Sequence, residues 1–158
     1  MLTFAFFNLP ARGHLNPTLP VVKELVAGGA TVHYFIDEKY RKLVDPYDPQ
    51  ANLTARARSY LHSNCAQCHV EAGGGNAQID LEFTTPLKDM RLVGVKPQHH
   101  TFGLKDARLI APGHPERSVL LHRMAHRREG HMPPLATSLV DEPAVAMLRE
   151  WIRQLKQK

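Results

Sequence analysis

The hydrophobic positions of this 158-residue chain follow one periodicity before residue 45 and another after residue 51. In the first part, short apolar runs at residues 4–9 and 31–36 flank a helical pattern at 15–26 that ends at Gly28-Gly29. Strand, helix and strand in this order predict one βαβ unit of a parallel sheet. After residue 51 the apolar residues recur at helical spacing, which predicts an all-α domain.

Three helices are predicted in the second part. The first covers residues 52–62, and the second covers residues 115–127 with a proline in its first turn. The third begins near Asp141, a residue type that commonly caps helices. Its predicted buried stripe is Val145, Leu148, Ile152 and Leu155. Because the proline-rich residues 46–50 interrupt both patterns, we predict domains at 1–45 and 51–158 joined by this linker.

The segment Cys65-Ala66-Gln67-Cys68-His69 is the strongest indication of chemistry in the chain. The spacing C-x-x-C-H is the attachment signature of a c-type haem. Two cysteines three residues apart lie on one side of a helical turn, so both sulfurs can add to the two vinyl groups of one porphyrin. His69 then follows the second anchor and can bind the iron. These are the only two cysteines in the sequence, which leaves none for a disulfide.

Two other uses of Cys65 and Cys68 stay open at this point. A non-haem metal site could recruit histidines such as His62, His99 or His100, although a structural zinc site usually has a second Cys or His pair at short spacing. A thioredoxin-like redox pair is expected after a strand, whereas the residues before Cys65 have a helical pattern. Both alternatives are weaker than haem attachment.

A second axial ligand for the iron is predicted at Met132. It lies in Gly130-His131-Met132-Pro133-Pro134, where the paired prolines exclude a helix and favour a rigid extended loop. A methionine thioether is a common distal ligand of six-coordinate haem. His131 is the nearest rival.

Residues 52–155 resemble a class I c-type cytochrome domain, of the kind found at the C-terminal ends of bacterial periplasmic dehydrogenase-like proteins. The motifs that carry the resemblance are RSYLHSNCAQCH, IDLEFTTPL, APGHPERSVLLHRM, GHMPPL and VDEPAVAMLREWI. The resemblance implies an all-α cytochrome c-like domain that transfers electrons. It implies haem c attached at Cys65 and Cys68, with His69 and Met132 binding the iron. It departs at His114, where such domains usually have Asp.

The resemblance also implies a partner and a location. The expected partner is a redox protein or a fused dehydrogenase, and the expected location is the periplasm or the outside of the cell. No signal peptide is visible in the sequence, because the start has no basic residues before its apolar run and Pro10 interrupts that run.

Residues 1–44 resemble the start of the GT-B glycosyltransferases, which glycosylate small acceptors. The segment GHLNPTLPVVKELVAGGATVHYF carries this resemblance. It implies that His14 matches the general base that deprotonates the acceptor hydroxyl. The acidic residue that orients this base and the nucleotide-sugar domain have no counterpart in the sequence. We therefore expect a fragment with His14 as a vestigial base, and a chain that is not an enzyme.

Composition and charge exclude two classes of partner. The formal net charge is +5, but the basic residues are spread along the chain and few aromatic residues interleave with them, which argues against nucleic acid. No apolar run reaches the ~18 residues that a membrane span needs. The charge is compatible with an acidic redox partner.

Overall fold

The computed structural model describes residues 3–7, 27–35, 43–71, 73–134 and 137–156. The chain divides into two compact units, Met1–Lys42 and Leu43–Lys158. His14 and the helix predicted at residues 15–26 lie outside the described residues.

The first unit contains a two-stranded parallel sheet. Strand β1 covers Thr3–Phe7 and strand β2 covers Thr31–Phe35. The register pairs Thr3 with Thr31 and continues without a bulge to Phe7 and Phe35. Aromatic and β-branched residues, which favour pleated structure, make up most of both strands. Gly29, two residues before β2, has a φ of 80°, a conformation that glycine adopts without the steric cost of a Cβ.

The described residues of the second unit form three α-helices: α1 at Leu53–Cys65, α2 at Val119–Met124 and α3 at Glu142–Gln154. Side chains cap the two long ones. The Asn52 side chain accepts a hydrogen bond from the Ala55 amide at 3.1 Å, and Asp141 Oδ1 accepts one from the Ala144 amide at 3.0 Å. These caps satisfy amides that a helix leaves unpaired at its start.

The middle helix is shorter than predicted. Pro115–Arg117 forms a 3₁₀ turn, and Ser118 is extended with φ −97° and ψ 109°. The fully buried Ser118 hydroxyl accepts a hydrogen bond from the Ala111 amide at 2.9 Å and donates one to the His114 carbonyl at 3.0 Å. This pair of bonds interrupts the helix that the apolar spacing predicted over residues 115–127.

The core of the second unit lies between α1, α3 and the loops that join them. Trp151 and Leu148 on α3 and Leu61 on α1 are almost completely buried. Leu155, at the end of the predicted stripe, is partly buried against the same core. The other buried core residues on the three helices are Ala57, Tyr60, Leu121, Met124, Ala144, Val145, Met147 and Ile152.

The predicted linker at residues 46–50 is included in the second unit. The Val44 amide donates to Ser59 Oγ at 3.0 Å, and Arg56 Nε donates to the Pro46 carbonyl at 2.8 Å. The Tyr47 hydroxyl donates to Asp141 Oδ2 at 2.5 Å. This segment is therefore attached to both α1 and the start of α3.

Three short segments lie side by side in the chain after α1, and the last of them includes the first two residues of α2. Their residues are 92–95, 108–111 and 117–120, and isolated parallel bridges join Val93 to Ile110 and Arg108 to Ser118. Six backbone hydrogen bonds join these segments into a ladder, from Gly94 to Ile110, Leu109 to Val95, Ile110 to Leu92, Arg108 to Arg117, Val119 to Arg108 and Leu120 to Leu109, at 2.8–3.2 Å. None of the helices in the described part of the chain is long and apolar enough to cross a membrane.

Candidate functional site

The two cysteines lie at the end of α1. Cys65 is its last residue, and the chain continues to turn in the same sense, since the amides of Cys68 and His69 donate to the Cys65 carbonyl at 3.1 and 2.9 Å. Both cysteines are free thiols, Cys65 half-buried and Cys68 exposed. The structure thus brings together the predicted residues Cys65, Cys68 and His69 on one short turn.

The two thiols differ in their electrostatics. Burial raises the pKa of the Cys65 thiol to about 12, and the neighbouring Cys68 contributes in the same direction. Cys65 therefore stays protonated at neutral pH and is a poor nucleophile, because the thiolate is the reactive form.

Backbone contacts on both sides fix His69. The Gly75 amide donates to the Cys68 carbonyl at 2.9 Å, and the Leu81 amide donates to the His69 carbonyl at 2.8 Å. Burial lowers the pKa of His69; the Ala77 backbone opposes this shift and the positive charge of Arg123 adds to it. A lowered pKa favours the neutral imidazole, which is the form that binds metals.

The glycines of the loop after His69 allow this close packing. A Cβ on Gly75 would lie 2.7 Å from the Cys68 carbonyl oxygen and 2.8 Å from His69 Nδ1, and one on Gly73 would lie 2.6 Å from the same carbonyl oxygen. His69 Nδ1 is buried and has no hydrogen-bond partner of normal geometry. The loop therefore packs against the Nδ1 edge of the His69 ring. Sequence reasoning missed both glycines, although the run Gly73-Gly74-Gly75 signals a close backbone approach.

The loop that carries Met132 is attached to α2. The Met132 amide donates to the Arg123 carbonyl at 3.0 Å, and Arg123 Nη1 donates to the Gly130 carbonyl at 2.7 Å. The Arg123 guanidinium also lies over the Phe102 ring, 4.6 Å from its centroid. Because the charge of Arg123 acts on His69 as well, this arginine links the Met132 loop to the surroundings of His69.

The other candidates for the second axial ligand are His131 and the remaining methionines. His131 Nδ1 lies 2.8 Å from the Arg128 carbonyl. Three other methionines are buried among the core residues, Met90, Met124 and Met147. Met132, in contrast, is half-buried, so part of this residue is accessible.

The non-haem metal alternative is wrong for the described residues. They contain no group of three or more His, Cys, Asp or Glu side chains that could hold a metal ion. His62 is engaged elsewhere, because its Nδ1 accepts a hydrogen bond from the Phe83 amide at 3.2 Å. His99 and His100 are exposed.

Comparison with known proteins shows to which proteins part of the chain is related. The uncharacterized UDP-glucosyltransferase YdhE of Bacillus subtilis is 44% identical over 97 residues, which is 59% of this chain and 22% of that protein. Demethyllactenocin mycarosyltransferase of Streptomyces fradiae is 45% identical over 60 residues, 38% of this chain and 12% of that enzyme. Part of this chain is related to glycosyltransferases.

A third relative agrees. The NDP-glycosyltransferase YjiC of Bacillus licheniformis is 44% identical over 41 residues, 26% of this chain and 10% of that protein. The chain thus spans at most 22% of the length of these three relatives. No family model matches the chain, and no solved structure matches it.

These relatives correct two expectations. The expectation that the chain is not an enzyme is wrong, because the proteins it matches are named as sugar-transferring enzymes. The expectation that cytochrome is the class to which the chain belongs is also wrong, since glycosyltransferase is the class that its relatives carry. The resemblance of the first part to glycosyltransferases is confirmed.

Proposed function

We propose that the glycosyltransferase-related part of this chain contributes to the acceptor side of a sugar-transfer reaction. The observation that carries the proposal is the 44% identity to a UDP-glucosyltransferase over 59% of the chain. By resemblance, His14 removes the proton of an acceptor hydroxyl. The resulting oxygen attacks the anomeric carbon of a nucleotide sugar, and the nucleoside diphosphate leaves. Because the chain spans 22% of that relative, we assign the donor site to the rest of such an enzyme.

A chimera tests this proposal. Residues 1–42 of this chain replace the matching residues of the Bacillus subtilis relative, and transfer from UDP-glucose to a flavonoid acceptor is followed by mass spectrometry. We expect a glycosylated product that falls by about 10²-fold or more in the His14→Ala variant, the size of effect that general-base catalysis supplies. His33→Gln, a second histidine of the same unit, is the control. A chimera that keeps full activity without His14 overturns the role of this residue.

A second candidate function belongs to residues 43–158, and a specific observation favours it. We propose that Cys65 and Cys68 hold a covalent haem c and that His69 binds its iron. The residues fit this group because Cys65, Cys68 and His69 lie on one short turn at the end of α1, and because the close approach of Gly75 holds the His69 ring in place. When bound, the haem iron would supply one-electron exchange.

The protein's own residues would divide the work of holding this group. The two thiols anchor it, the loop around Gly75 orients the His69 ring, and the burial that lowers the His69 pKa keeps the imidazole neutral. Met132 is our proposed second ligand. A periplasmic or secreted location and a redox partner protein would follow from haem c, since covalent haem attachment in bacteria occurs outside the cytoplasmic membrane.

Haem attachment has a direct test. The chain is fused to an export signal, produced with a c-type maturation system, and extracted with acid acetone. We expect colour to stay with the protein, to be lost in Cys65→Ala/Cys68→Ala and His69→Ala, and to persist in the control His99→Ala. In Met132→Ala we expect haem to stay attached with a lower reduction potential. Colourless protein from the unsubstituted chain would overturn this second candidate and leave the first untouched.

A further inference from the structure

A cleft of about 980 Å³ lies in the second unit, and its lining residues include Val93, Val95, Arg108 and Ala111. Its walls come from two segments of the irregular ladder, the turn at residues 112–117, and the chain just after α3. This volume is within the usual range of sites for small molecules.

Positive charge dominates the lining. Five residues with permanent positive charge line the cleft, and they are Lys88, Arg91, Arg108, Arg117 and Lys156. None of the described residues that line it is Asp or Glu. These five are a quarter of the 20 Lys and Arg residues in the chain, which has a net charge of +5. Like charges held close together repel, and a bound anion would relieve that repulsion.

Backbone pairing holds two of these cations together. The Arg108 amide donates to the Arg117 carbonyl at 3.0 Å, which places the two residues on adjacent segments. The carboxylates near this wall lie outside the cleft lining. Asp106 Oδ2 is 3.9 Å from Arg117 Nη2, and both of these side chains are partly exposed, so this ion pair compensates little of the charge.

Part of the lining, here called the floor, is apolar. Leu92 and Ala111 are buried, and Val95 is 38% exposed, one of the few large hydrophobic residues that the described part of the chain exposes. A ligand that is only a charged group would leave this floor in water. A ligand with an apolar body would cover it and gain from the burial.

We propose that this cleft binds a small organic anion that has an apolar body and at least two carboxylate or phosphate groups. The cations of the lining contact the anionic groups, and the apolar floor at Val95 contacts the body. Neither the glycosyltransferase relationship nor the haem site assigns a ligand here.

Calorimetric titration of the full chain tests the proposal. The probes are benzene-1,3,5-tricarboxylate, which has an apolar ring, and inorganic pyrophosphate, which has none. We expect one molecule of tricarboxylate per chain, with an affinity that falls as salt is added. Tighter binding of the tricarboxylate than of pyrophosphate supports the apolar floor, and equal or tighter binding of pyrophosphate overturns it.

Matched charge-removing variants locate the site. Arg108→Gln/Lys156→Gln removes two cations of the cleft, and Arg128→Gln/Arg149→Gln removes two exposed cations that do not line it. We expect the first variant to bind the tricarboxylate at least about tenfold more weakly, because contacts with charged groups are worth that much. The second is expected to bind it within about twofold of the unsubstituted chain. Equal weakening in both variants, or no heat of binding in the unsubstituted chain, overturns the proposal.

Discussion

Gly75 lies against His69 so closely that a single added methyl group would come within 2.8 Å of the imidazole Nδ1. The same methyl group would be 2.7 Å from the Cys68 carbonyl oxygen, which accepts the Gly75 amide. The orientation of His69 therefore depends on a residue six positions further along the chain that has no side chain. A backbone contact of this kind has few ways to relax.

This packing makes Gly75→Ala a sharp test. We expect the substitution to lower the free energy of unfolding by about 1–3 kcal/mol, since the backbone must shift to admit the methyl group. Asn76→Ala changes the exposed neighbour and is expected to stay within about 0.5 kcal/mol. Urea unfolding followed by circular dichroism measures both. An unchanged midpoint for Gly75→Ala would show that the loop does not pack on His69 as described.

The two thiols are expected to react at different rates. With a pKa of about 12, Cys65 has very little thiolate at pH 8, and it is also less exposed than Cys68. We expect iodoacetamide to modify Cys68 at least about tenfold faster in the folded apoprotein, because reaction needs the thiolate. Mass spectrometry of the digested protein gives both rates, and the same measurement in urea should bring them together. Equal rates in the folded protein would contradict the burial of Cys65.

Ser118 is expected to stabilise the turn before α2. In Ser118→Ala the buried Ala111 amide loses its acceptor, and we expect a loss of about 1–3 kcal/mol in the free energy of unfolding. Ser138→Ala, at an exposed position, is the control. Thermal and urea unfolding would both report the difference, and equal stability of the two variants would be evidence against a structural role for the hydroxyl.

The ionisation of Tyr47 makes the stability of the second unit fall at alkaline pH. Burial, with the hydrogen bond to Asp141 and the charges of Asp141 and Asp45, raises its pKa to about 12 from an ordinary value of 10.0. The folded protein therefore holds this proton to higher pH than the unfolded chain does. Its contribution to stability is fully present below pH 10 and is lost as the pH rises from 10 to 12.

Tyr47→Phe isolates this effect. The variant lacks the hydrogen bond to Asp141, so we expect lower stability at pH 8 and a shallower decline of stability between pH 10 and 12. Other groups that titrate in this range, Tyr60 among them, are present in both proteins. Urea unfolding at several pH values measures the slopes. Parallel slopes would mean that Tyr47 ionises equally in the folded and unfolded chains.

The sequence predicted local features better than distant contacts. The predicted cap at Asp141 depends on a residue three positions away, and the turn that joins Cys65 to His69 depends on residues within four positions. The segment at 46–50 resembled a linker because of its prolines. Its attachment depends on the bond from Tyr47 to Asp141, 94 positions away, and no local pattern encodes that distance.

The same limit applies to the middle helix and to the cationic cleft. Residues 115–127 have helical apolar spacing, but the buried Ser118 hydroxyl bonds to Ala111 and keeps Ser118 extended. The cations of the cleft come from four separate stretches of the chain. Along the sequence they are ordinary scattered charges, and only the folded backbone places Arg108 beside Arg117.

The ladder after α1 has a consequence for how the chain opens and closes. Its segments at 92–95 and 108–111 have no regular secondary structure, and the segment at 117–120 leads into the start of α2. The amides of all three are nevertheless bonded across segments. Exchange of those amides for deuterium requires the segments to separate, which would expose the buried side chains of Leu92 and Ile110 on two of them. We expect the amides of Gly94, Leu109 and Leu120 to exchange as slowly as those in the middle of α3. A stretch that resembles a loop would then belong to the last part of this unit to unfold.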